Sequence, residues 1–164
     1  MTGSAAIQEV LKSTHFLLTQ YLNDLSDADL LVRPVPGANH IAWQLGHLVV
    51  AERGLVTAEM PKAAYPELPA GFADAHAKGT ASQDGPAGFR TKDEYLALLN
   101  AMRSASIATV GALTDADLDR ASVGPMAKFA PTLAATFILV ANHTLMHGGQ
   151  ITVVRRKLGK PVVF

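Results

Sequence analysis

The sequence predicts an all-α fold, a bundle of four long helices in one domain spanning residues 1–164. Three observations predict it. Apolar residues recur at helical spacing over four long stretches, and capping residues, prolines and glycines bound those stretches. No run alternates with the period of two that a half-buried strand needs, and Pro161 to Phe164 is too short to compete. The connections between the stretches are mixed in length, which a bundle accommodates.

The first helix is expected from about Ser4 to Asp24, with Ile7, Leu11, Leu18, Tyr21 and Leu25 on one stripe. Ser26-Asp27-Ala28-Asp29 then reads as a capping box for a short turn ending before Pro34. Asn39 is a candidate cap for the second helix, from about His40 to Glu59, which is apolar almost all round and stopped by Pro61. Residues 60–90 hold four prolines and four glycines and read as a long loop with a few helical turns, a length that often shapes a site. Thr91 and Glu94 form a capping box for the third helix, whose inner face carries Tyr95, Leu98, Leu99, Met102, Ser106, Val110 and Leu113. The fourth helix runs from about Thr132 to Leu158, closed by Gly159 with Pro161 beyond. One internal echo, Leu25-Ser26-Asp27-Ala28-Asp29-Leu30 against Leu113-Thr114-Asp115-Ala116-Asp117-Leu118, follows an amphipathic helix each time and precedes a histidine-bearing one. It reads either as a capping sequence that arose twice or as two related helix–turn–helix halves.

Composition narrows the function. Apolar residues make up 49% and charged residues 17%, which argues for a folded globule rather than disorder. The formal net charge is zero, so nucleic-acid binding has little electrostatic support. Arg155-Arg156-Lys157 is read as a solvated helix end, where cations complement the dipole. The absence of cysteine excludes disulfides, thiolate metal sites and a cysteine nucleophile. No apolar run approaches the roughly 20 residues a membrane span needs, and no signal peptide is visible, so a soluble, cytoplasmic protein is expected.

His143 and His147 lie four residues apart on the fourth helix, so both rings can point at one spot. Val140, Ile151, Val154 and Leu158 follow nearly the same stripe, which turns the pair toward the core, where an imidazole must satisfy its nitrogens. His47 sits at the edge of the apolar face of the second helix and, on its own, reads more as a satisfied core histidine than as a third ligand. Together the three offer an all-nitrogen set suited to zinc, nickel, iron or copper rather than magnesium or calcium. No glutamate stands beside the pair as in the zinc-protease motif. Gln150, on the face of His143, is a candidate to orient a ligand or a bound water. Trp43, one turn before His47, is a candidate to support that ligand or to touch substrate. His15 is placed on the flank of the first helix, His40 at a helix start and His76 in solvent on the loop.

Trp43-Gln44-Leu45-Gly46-His47-Leu48, followed by His143, His147, Gly149-Gln150-Ile151, Arg155, Gly159 and Pro161, resembles the DinB-like (DinB/YfiT) family. The resemblance implies an up-down-down-up bundle with a long connection between helices two and three. It also implies a metal site built from His47, His143 and His147. Three protein ligands leave a position open, the arrangement of a catalytic site, and an open divalent metal can activate a water or a thiol as nucleophile. Some relatives are metal-dependent S-transferases or isomerases using bacillithiol, mycothiol or glutathione, so the resemblance implies a thiol transferase acting on a small-molecule substrate. A cysteine-free chain would draw its thiol from a cosubstrate. The alternatives are a non-catalytic metal-binding bundle of the stress response and a metal-dependent hydrolase. Glu52 lies about 140° round the helix from His47, given about 100° per residue, and no general base is evident. Ala141, Leu145 and Gly149 form a small apolar strip on the other face of the fourth helix, which a homodimer would cover, or equally a helix or loop of the same chain.

Overall fold

The computed structural model describes residues 1–163; Phe164 lies outside the described residues. Four long helices form the body: α1 (Gly3–Leu22), α2 (Ile41–Glu59), α4 (Lys92–Gly111) and α6 (Leu133–Lys157). Two short ones, α3 (Phe72–Ala75) and α5 (Asp115–Asp119), sit in the connections, with 3₁₀ turns at Asp29–Leu31 and Lys78–Thr80. Among the described residues the one strand-like feature is an isolated antiparallel bridge between Ala121 and Thr132.

Local chemistry sets the boundaries. Thr2 caps α1 by accepting from the Ala5 N–H, and Thr132 caps α6 through Ala135. Thr91 with Glu94 and Thr114 with Asp117 close full capping boxes. Ser26 and Asp29 make the same reciprocal pair, so both copies of the internal echo do the same local work. The cap of α2 is His40 rather than Asn39. The His40 ring is fully buried, its Nδ1 accepting from the Trp43 N–H and its Nε2–H donating to the Gln83 carbonyl, so an imidazole replaces the expected amide. α6 ends where Gly159 adopts a left-handed φ of 69°.

Cross-helix bonds fix the up-down-down-up order. α1 runs antiparallel to α4, because Gln8 donates to the Ile107 carbonyl while Lys92 reaches Asn23 and Leu25. α2 runs parallel to α4, pairing Glu52 with Arg103 near the middle and bringing Val56 and Val110 into one cluster. α2 is antiparallel to α6, where Gln44 meets His147. This antiparallel pairing is the one that a two-fold relation between halves requires, and it sets His47 against the fourth long helix.

The core has two apolar ends, one around Leu22, Leu45, Tyr95 and Ile151 and one around Leu11, Val56, Val110 and Phe137. A polar layer lies between them. Arg103 donates to both Glu52 oxygens at 3.0 Å, to the Leu11 carbonyl at 2.6 Å, and to the Thr14 and Thr144 hydroxyls at 2.9 Å. One side chain of α4 thereby touches all three other long helices.

Arg155 departs from the solvated-end expectation. It is 1% exposed and donates to Asp24 and to the carbonyls of Tyr21 and Pro161, tying the chain's end to α1. Ala141 is likewise fully buried, so the expected outer strip keeps only Leu145 and Gly149 in solvent.

Candidate metal centre

α2 and α6 bring His47, His143 and His147 together. One ring nitrogen from each lies within 4.8 Å of the other two, with His147 buried and the other pair half-buried. The Nε2 atoms of His143 and His147 are 3.1 Å apart. Nitrogens around a tetrahedral zinc at about 2.1 Å stand about 3.4 Å apart, so small ring rotations close this set. The three rings therefore fit a divalent transition metal in spacing and in chemistry.

Burial keeps the rings neutral. It pushes His147 down to about 3 and His143 down to about 4, each helped by the neighbouring imidazoles. Burial also lowers His47, with Lys78 and His76 adding to it. A neutral imidazole is the form that ligates a metal.

The surroundings hold the rings in place. Trp43 stacks on His47 with centroids 4.9 Å apart and planes within 7°. The Trp43 indole N–H donates to the Thr80 hydroxyl, which donates in turn to the long connection's own backbone. Gln44 is 1% exposed; its Oε1 lies 3.0 Å from His147 Nδ1 and its Nε2 donates to the Asn39 carbonyl at 2.9 Å.

Gln150, by contrast, is exposed and lines a surface groove together with Gln44, Pro34, Val35, Asn39 and Val153. The amide that meets His147 is thus Gln44, not Gln150. A polar residue inside a helix that is apolar all round must find a buried partner, and that signal was present in the sequence.

The remaining histidines are apart from the triad. His15 donates from Nε2 to the Asn100 side chain in the α1–α4 groove. His76 is 1% exposed, contrary to the solvated position expected for a loop residue. Its Nδ1–H donates to the Phe72 carbonyl at 2.8 Å and its Nε2 accepts from the Tyr95 hydroxyl at 2.8 Å. The ring lies flat against Gly46, where any Cβ would overlap it. Only glycine lets the long connection pack so close beside His47.

Glu52 is not free to act as a base, because Arg103 holds both oxygens and Ser106 donates to one of them. Among the described residues no helix is long and apolar enough to cross a membrane.

Four long helices in up-down-down-up order, with three histidines converging from the second and fourth, define a bundle whose site could hold a metal ion. Residues 11–151 match the DinB superfamily, and the chain belongs to that family. Its fold is similar to YfiT from Bacillus subtilis, described as a probable metal-dependent hydrolase with an unusual four-helix bundle topology. The two share 20% identity and a TM-score of 0.67 over 96% of this chain and 89% of that one. A conserved protein from Enterococcus faecalis is similar over 98% of this chain and 99% of its own, at 17% identity and a TM-score of 0.73. At these identities the likeness is one of fold. No curated protein matches the sequence.

Proposed function

We propose that the protein is a metal-dependent enzyme in which His47, His143 and His147 hold a divalent transition metal and leave one side to a small-molecule substrate. Zinc and nickel suit the set best; iron and copper also accept three imidazoles. The observation that carries this reading is the convergence of three neutral imidazoles within 4.8 Å. A divalent ion held there supplies Lewis acidity that lowers the pKa of a thiol or water brought to it. The chain's own residues aim the rings, shield the flank of His47 with Trp43, and offer the groove of about 320 Å³ lined by Gln44, Gln150 and Val153 to the substrate's organic part.

The reaction we favour is transfer of a low-molecular-weight thiol, of the bacillithiol, mycothiol or glutathione type, to an electrophile. The chain has no cysteine, and its buried Glu52 is committed to Arg103. A cosubstrate thiol, already acidic beside water, needs no protein base. Hydrolysis is the second reading, favoured by the description of YfiT.

One experiment separates them. Zinc- and nickel-loaded protein is assayed with a thiol panel and monochlorobimane, and in parallel with p-nitrophenyl acetate without thiol. Metal- and thiol-dependent conjugation that His143→Ala abolishes supports transfer. Thiol-independent ester cleavage supports hydrolysis instead. Neither activity in protein carrying one metal per chain would leave a binding bundle of the stress-response kind.

A further inference from the structure

We infer that Gln44 is a positioning residue that selects which nitrogen His147 presents to the metal, and so sets the affinity of the centre. The inference rests on the metal reading above for its consequence, but its structural part stands on hydrogen bonds alone.

The chain of bonds has one direction. The Asn39 carbonyl can only accept, so the Gln44 atom 2.9 Å from it is the amide nitrogen, and this fixes which way the amide faces. Its oxygen therefore points at His147 Nδ1, 3.0 Å away, and an amide oxygen can only accept. His147 must carry its proton on Nδ1. Its Nε2 is left with a lone pair, and that is the atom facing His143. Both Gln44 and His147 are buried, so water does not offer the ring an alternative partner for Nδ1. In the metal-free protein the 3.1 Å contact between the two Nε2 atoms then needs a donor, which can only be His143 Nε2–H. Of these two rings only His143 must move its proton to Nδ1 for its Nε2 to ligate; His147 is already in the ligating form.

Gln44 does more than an inert spacer would. A hydrogen-bond acceptor on the far nitrogen of a ligating histidine orients the ring and raises its basicity, and loss of such a partner typically costs 10–100-fold in metal affinity. The same amide is anchored on the turn before α2 and lines the adjoining groove, so the ligand, the turn and the groove share one side chain.

The test has two arms. In the first, long-range ¹H–¹⁵N spectra of the metal-free wild type are assigned with His143→Gln and His147→Gln. The expected result is His147 protonated on Nδ1 and His143 on Nε2; His147 protonated on Nε2 overturns the inference without touching the metal reading. In the second, zinc affinity is measured by competition with a chromophoric chelator. Gln44→Met should weaken it about 10–100-fold and mix the His147 tautomers, whereas Gln44→Glu, which keeps the acceptor but loses the N–H to Asn39, should hold Nδ1–H and bind more tightly than Gln44→Met. A folded Gln44→Met protein, checked by circular dichroism, that binds zinc within twofold of wild type overturns the positioning role. Absence of zinc binding by wild type would sink the metal reading while the first arm still judges Gln44.

Discussion

Every histidine of this chain is held below its ordinary pKa by burial, and the effect is largest at His143 and His147. This has a consequence for stability with a definite sign. The unfolded chain binds protons as the pH falls through about 6.5, while folded His143 and His147 resist until about 4 and 3. Between those values the unfolded state holds more protons, so stability present above pH 6.5 is lost on acidification. The urea midpoint of metal-free protein should fall steadily from pH 7.5 to pH 5; a midpoint flat across that window would contradict the buried, neutral state of these rings. Replacing His143 and His147 with alanine should abolish stoichiometric zinc or nickel binding by elemental analysis, and retained binding would place the ligands elsewhere. Gly46 makes a third test at this scale. Gly46→Ala drives a methyl group into the His76 ring, and overpacking of this kind costs about 1–3 kcal/mol. His76→Ala should relieve part of that loss, so a double-mutant cycle on melting temperatures should be clearly non-additive. Additive losses would mean the two groups do not meet.

At the scale of elements, the long helices were legible because capping boxes and apolar stripes are local. Thr91 and Glu94 lie three residues apart, and the structure closes their box as the sequence implies. The connections were less legible, because their partners are distant in the chain. Glu59 at the end of α2 is an example. Burial alone would raise its pKa, yet Ser122, the backbone N–H groups of Val123 and Gly124, and Arg120 outweigh that and lower it. Together they fasten the segment before α6 onto the end of α2. Glu59→Ala leaves those donors without their acceptor, and the loss should be about 1–3 kcal/mol, read as a lower urea midpoint. Faster amide exchange at Val123 and Gly124 should accompany it. Unchanged exchange at those two amides would show that the segment is held by something else. His76 follows the same rule: its loop position implies solvent, and only the packing of that loop on Gly46 and Tyr95 buries it.

For the whole molecule, the polar layer around Arg103 is the decisive feature, since it joins all four long helices at one register. Removing the cation strands Glu52 in the core, a change that typically costs about 3–5 kcal/mol. Arg103→Met should therefore lower the denaturation midpoint sharply. Arg103→Met with Glu52→Leu should recover much of the loss, because an apolar pair of similar volume is often as stable as a buried ion pair. A double variant no better than the single would assign the layer a role beyond charge balance. The sequence by itself determined the long helices, the capping box of Thr91 with Glu94, the family resemblance and the pairing of His143 with His147, because each rests on short-range patterns along the chain. The resemblance named His47 as the third partner, but only the tertiary structure decided that its ring converges on the other two, that Gln44 rather than Gln150 meets His147, and that Glu52 is held by Arg103. Those outcomes depend on which faces of separate helices come into contact, and that choice is made by the packing of the whole chain rather than by any local spacing.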